Sequence, residues 1–153
     1  RLEDAIAFFT RDLNLGSLQF QTAVTNAGLG GVTDVAISPD GSRVVGQDAE
    51  GHSRLYPVDG GPSEPVPGLA GGDRVVQWAE DGRALFVGRL EGPVWRIRRL
   101  DLQTGRAAPW TEITPRETAG LRLSWVYLTP NGRFWVHSYS RLLTDLYVAE
   151  GLR

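Results

Sequence analysis

Apolar residues along this chain come in short alternating or continuous runs, separated by Gly, Pro, Asp and Asn. That is the pattern of brief β-strands joined by turns. Residues 5–10 and 18–24 read as two strands, the second alternating cleanly. The stretch 12–17 between them has turn chemistry, because Asn14 and Gly16 tolerate positive φ. Glu3 and Asp4 ahead of the first run also suit the start of a short helix, an alternative that fits the rest of the chain less well. Further strands are expected at 32–38, 43–48, 53–58 and 64–66, then at 74–78, 84–90, 94–102 and 106–112. A last set is expected at 121–128, 133–139 and 145–149. Pro62, Pro65 and Pro67 crowd the run at 64–66, and proline cannot donate to a ladder, so that strand belongs at a sheet edge.

One turn phrase recurs through this pattern. It appears as Ser38-Pro39-Asp40-Gly41, Ala79-Glu80-Asp81-Gly82 and Thr129-Pro130-Asn131-Gly132, with starts 41 and 50 residues apart. Each copy follows an apolar run, and an Arg at 43, 83 or 133 opens the next strand. A repeat of about 40 to 45 residues made of short strands marks the blades of a β-propeller. The expected fold is therefore all-β. It is a partial propeller of about three four-stranded antiparallel blades plus an amino-terminal hairpin. Residues 1–31 are assigned to the outer hairpin of a truncated preceding blade and a loop, and residues 32–153 to three blades, the last incomplete. Closed propellers use about four to eight blades. The count, the absence of Met and the Arg at position 1 all suggest a piece of a longer protein.

Composition narrows the chemistry. The chain has 153 residues, 41% of them hydrophobic, and a net charge of −2, which gives no reason to expect nucleic acid. No run approaches the roughly 18 apolar residues of a membrane span, so no membrane contact is expected from this segment. All sixteen basic residues are Arg. Without Lys there is no Schiff base, no P-loop lysine and no kinase-type phosphate contact. Without Cys there is no thiol nucleophile, disulfide or thiolate metal site. The compartment stays open between the cytoplasm and the outer side of a membrane.

Residues 35–43, 55–61, 99–106 and 145–153 together resemble the WD40-like, TolB-type propeller repeats of bacteria. More narrowly, 128–132 through 138–147 is similar to the carboxy-terminal propeller of large bacterial proteins. Those proteins carry an amino-terminal eukaryotic-like serine/threonine kinase or a winged-helix regulator. The resemblance covers about residues 30–153. It implies a non-catalytic interaction or sensing role, with a protein or small-molecule ligand at blade loops or the channel mouth. The alternatives are an accessory propeller of a prolyl-oligopeptidase-type hydrolase and a TolB-like periplasmic scaffold. Glu80 and Asn131 depart from the commonest repeat phrase but still suit a turn.

No residue is assigned a catalytic, cofactor-binding or metal-binding role, and no cofactor is expected. The Asp-Gly and Asn-Gly pairs read as two-residue hairpin turns rather than calcium ligands. The stretch Asp48-Ala49-Glu50-Gly51 lacks calcium-loop spacing. In Gly51-His52-Ser53-Arg54-Leu55 the Leu stands where a nucleophile elbow needs glycine. His52 and His137 are too few for a zinc site, and His137 in a strand suits packing better than base catalysis. Gly28-Leu29-Gly30-Gly31 lacks the strand-to-helix context of a phosphate loop. Arg96, Arg98 and Arg99 share one strand, where they suit either an anion or, more simply, acidic neighbours. Most of the five tryptophans (78, 95, 110, 125, 135) are expected between blades, and several indoles exposed on one face would instead point to ligand stacking.

Overall fold

The computed structural model describes residues 5–11, 18–25, 35–47, 52–116 and 119–141, the first two stretches by backbone alone. Every regular element in them is a strand. Strands β1 (Ala5–Arg11) and β2 (Leu18–Thr25) pair as the expected antiparallel hairpin, with a bulge at Gln21. The helix alternative for the first run falls.

Four short strands follow: β3 (Ala36–Ile37), β4 (Arg43–Gln47), β5 (Ser53–Pro57) and β6 (Glu64–Pro65). They form one antiparallel sheet in chain order, and proline-rich β6 lies at its edge as expected. The next sheet holds β7 (Arg74–Trp78), β8 (Ala84–Glu91), β9 (Val94–Asp101) and β10 (Ala107–Ile113), again in chain order. The third pairs β11 (Leu121–Leu128) with β12 (Trp135–Arg141). Arg133 and Phe134 stay in the turn, although the pattern had placed them in β12. The strand expected at 145–149 lies outside the described residues.

The turns differ from the two-residue hairpin reading. In the first copy, the Gly41 N–H donates to the Ser38 carbonyl at 2.9 Å, so Pro39 and Asp40 are the central pair. Gly41 follows at φ 72°, and the Ser38 N–H closes the hairpin on the Arg43 carbonyl. Proline suits the first central position of a type I turn, and glycine the position after it. The same two backbone bonds recur at Ala79–Gly82 and Thr129–Gly132. The third residue of the phrase accepts from the N–H two residues on: Asp40 from Ser42, Asp81 from Arg83 and Asn131 from Arg133, each at 3.0 Å. That shared bond explains why Asp and Asn are interchangeable there.

The middle sheet is the core. Ala84, Leu85, Phe86 and Val87 of β8 are all buried. Successive strand residues face opposite sides, and here both sides are covered. Leu85, Val87, Trp78 and Leu100 pack with Val45, Leu55 and Val66 of the first sheet. Ala84, Phe86, Trp95 and Ile97 pack with Leu123, Val126 and Leu128 of the third. That is why β8 reads as a continuous apolar run. Removing a ring as large as the buried Trp78 from such a core costs about 3–5 kcal/mol.

The first strands of the three sheets meet each other. β7 touches β3 on one side and β11 on the other. Trp78 donates its indole N–H to the Ala36 carbonyl at 2.9 Å, and the Gln77 amide reaches the Leu128 carbonyl at 3.5 Å. At the adjoining turns the Glu80 N–H donates to the Pro130 carbonyl at 2.9 Å. Face-packed antiparallel sheets whose first strands gather at one edge are successive blades of a β-propeller. The chain has an all-β, partial-propeller fold.

Candidate functional site

The edge where β3, β7 and β11 gather carries a cleft. Its walls include Val35, Arg74, Val76, Trp95, Trp125 and Tyr127, and its volume is about 160 Å³. A second, more open cavity of about 360 Å³ adjoins the repeated turns and is lined by Ile37, Gln77, Trp78 and Asn131, among others. Val35, Ile37, Trp125 and Tyr127 are all exposed, Ile37 and Tyr127 by more than half. So much exposed apolar surface on neighbouring strands marks an interaction site more often than a plain surface.

Two β-bulges shape the cleft. On β11, Ser124 and Trp125 together face Ser138 of β12, between the pairs Leu123–Tyr139 and Val126–His137. The Ser138 hydroxyl accepts the Trp125 N–H at 3.2 Å. On β7, Val76 is the extra residue between the pairs Val75–Val87 and Gln77–Phe86. A bulge re-aims the side chains around it. Leu123, Val126 and Leu128 still reach the core, while Trp125 turns outward at 41% exposure. The Arg74 guanidinium lies over the Trp125 ring, 5.1 Å from its centroid.

The tryptophans correct the expectation. Only Trp78 and Trp95 are buried; Trp110, Trp125 and Trp135 are exposed. Trp110 is also a bulge residue, on β10, and donates its indole N–H to the Gly132 carbonyl at 3.1 Å. Trp110 and Trp125 both sit at bulges, where an inserted residue breaks the inward-outward alternation of the strand.

The arginine cluster takes acidic neighbours. Arg96 pairs with Glu91 at 2.8 Å and also with Glu112; Arg99 pairs with Asp81. Arg98 meets Asp73, whose side chain is only 1% exposed. Arg89 joins the same carboxylate at 3.0 Å, and the Ala70 N–H donates to it at 3.2 Å. Asp73 thereby ties a loop to β8 and β9. It carried no obvious sequence signal, because a lone Asp after two glycines resembles any turn.

His52 precedes β5 in the first sheet, and His137 lies in β12 of the third, 6.3 Å from the Tyr139 ring. Ser53 and Arg54 belong to β5, where Arg54 bonds Ser63 at 2.8 Å. Residues 28–31 and 48–51 lie outside the described residues. Among the described residues, no group of three His, Asp or Glu side chains is placed to hold a metal ion. No helix among them is long and apolar enough to cross a membrane.

No protein-family model matches the chain, and no curated relative does. Solved structures do. TolB from Acinetobacter baumannii is 14% identical, with a TM-score of 0.48, over 89% of this chain and 40% of that one. A protein described as TolB from Agrobacterium tumefaciens is 20% identical, TM-score 0.49, over 86% and 52%. The β-propeller domain of the Trilobed protease from Pyrococcus furiosus is 20% identical, TM-score 0.40, over 78% and 37%. The chain thus spans about half or less of the length of these structures.

Proposed function

We propose that this chain is a non-catalytic, ligand-sensing or protein-interaction segment of a β-propeller, acting through the groove along β3, β7 and β11. The carrying observation is the exposure of Val35, Ile37, Trp125 and Tyr127 around two adjoining cavities. Aromatic side chains held on rigid strands supply contact area at little entropic cost. A protein loop or a small molecule is the occupant that such a mixed apolar groove fits. The resemblance of 128–147 to the propellers of bacterial kinases and winged-helix regulators supports placing the segment in a larger signalling protein.

Selection of displayed peptides on the purified full chain tests the binding role. Enriched peptides are expected to lose affinity for the Ile37→Ala and Trp125→Ala variants and to retain it for Arg106→Ala, on the outer hairpin. Failure to enrich any peptide, or binders indifferent to both groove substitutions, overturns it. For the parent, an upstream reading frame encoding a kinase or winged-helix domain is the expected finding. A hydrolase domain with a Gly-x-Ser-x-Gly elbow, or a signal peptide alone, overturns that placement.

A further inference from the structure

We infer that Asn131 is a site of covalent modification: its side-chain amide is converted to a carboxylate by attack of the Gly132 backbone nitrogen, and the native third turn keeps that reaction closed until the turn opens. The inference is independent of the binding role above.

The chemistry needs only water. The Gly132 amide nitrogen gives up its proton and bonds to Asn131 Cγ, and the side-chain nitrogen leaves as ammonia. The five-membered imide so formed takes up one water. Cleavage of its bond between nitrogen and Cγ leaves aspartate. Cleavage at the backbone carbonyl leaves isoaspartate, with the chain rerouted through the side chain. Asn131 is the one asparagine of the sequence that precedes a glycine, the residue that shields its own nitrogen least. Asn131 is exposed, so water reaches it.

The folded turn holds both reacting groups elsewhere. The Gly132 N–H donates to the Thr129 carbonyl at 2.7 Å. Asn131 Oδ1 accepts from the Thr129 hydroxyl at 2.7 Å and from the Arg133 N–H at 3.0 Å. Ring closure must break the first bond to free the nitrogen and the other two to turn the side chain. Gly132 itself is buried, and its carbonyl accepts the Trp110 indole N–H at 3.1 Å. A Cβ on Gly132 would lie within 3 Å of both Trp110 and Phe86, so two rings of the middle sheet press on the attacking residue. The reaction therefore runs through an opened turn, lifted from those rings.

The two products have different consequences. Aspartate is what the other copies of the phrase carry, and Asp40 and Asp81 accept the same N–H bond at 3.0 Å. The turn survives that change. Isoaspartate inserts an extra backbone carbon ahead of Gly132, which takes Gly132 out of register with Thr129 and Trp110. Either product adds a negative charge at the cavity that Asn131 lines together with Glu80.

The test is the rate of conversion in the full chain, read by peptide mass mapping in mildly alkaline buffer. Conversion at Asn131 is expected in urea, and about tenfold slower or more in the native protein, the worth of two ordinary hydrogen bonds. Thr129→Val, which removes the hydroxyl clasp, should speed the native reaction about fivefold, the worth of one. Equal rates in native and unfolded protein overturn the guarding role of the turn, and no conversion in urea overturns the site. Both comparisons use unaltered protein, so poor folding of the variant does not remove them. Of the two products separated by ion exchange, the aspartate form should melt with Asn131→Asp and the isoaspartate form below it. Equal melting of the two forms overturns the coupling of this bond to the Trp110 contact.

Discussion

Asp40 shows how much of the repeated phrase rests on one side chain. Its carboxylate accepts from the Ser38 hydroxyl at 2.6 Å, and from the Ser42 N–H and hydroxyl at 3.0 and 2.9 Å. These bonds, the Ser38 hydroxyl foremost, lower its pKa to about 2. A depressed acid stabilises the fold fully above its unfolded value, about 3.9. That contribution is lost as pH falls through the folded value near 2. Asp40→Asn keeps an acceptor for the Ser42 N–H, as Asn131 does for Arg133, but it has no charge to lose. The melting temperature of wild type should therefore exceed that of the variant at pH 6, and the gap should narrow by pH 2.5. An equal gap at both pH values would show that the turn does not draw on the carboxylate. Asp101 belongs to the same class. The Thr104 N–H and hydroxyl lower its pKa as they close the hairpin between β9 and β10.

At the level of elements, bulges and close approaches decide what the strands present. Gly132 ends the third turn at φ 66°, directly under the Trp110 indole. A Cβ there would come within 2.6 Å of Trp110 Nε1 and 2.7 Å of Phe86 Cζ. Gly132→Ala should therefore destabilise twice, through left-handed backbone strain and through displaced rings. A loss of about 1–3 kcal/mol is expected in urea unfolding. Gly41→Ala provides the comparison, since its Cβ meets nothing within 4 Å. It should lose only the backbone part, about 1 kcal/mol. Equal losses at the two glycines would mean that the Trp110–Gly132 contact contributes nothing. A second close approach lies at the outer rim, where a Cβ on Gly68 would sit 1.9 Å from the Gly105 carbonyl oxygen. Two neighbouring sheets touch there, backbone to backbone.

For the whole molecule, the asymmetry between sheets matters most. Among the described residues, the middle sheet has both faces buried, whereas the third packs against a neighbour through its β7–β10 side. Tyr127 and Val136 pair across β11 and β12 on the other side, and both are about 60% exposed. An open apolar sheet face next to exposed strands invites association with another chain. Light scattering should show concentration-dependent association that Val136→Lys reduces, since a charge at the centre of that face opposes its burial. Association equal in the variant would place the sticky surface elsewhere. Val44 and Tyr56, on the side of the first sheet facing away from the middle one, are by contrast buried.

The chain's own pattern determined where the turns fall, the strand order and the all-β fold, because those depend on residues close in sequence, although it read the central pair of each turn one residue late. Pro39, Asp40 and Gly41 suit one turn geometry wherever they occur. Pro65 keeps its strand at an edge, and the continuous run of β8 announces two covered faces. The pairing of Arg96, Arg98 and Arg99 with acids was also within reach, since opposite charges recur on neighbouring strands. What lay beyond the sequence was the groove and its orientation. The bulge at Ser124–Trp125 is visible beforehand only as a break in phase between Leu123 and Val126. Nothing local says that Trp125 then faces outward under the Arg74 guanidinium. Those facts arise where β3, β7 and β11 come together from positions tens of residues apart. Only the packing of whole sheets against one another sets which side chains line the space between them.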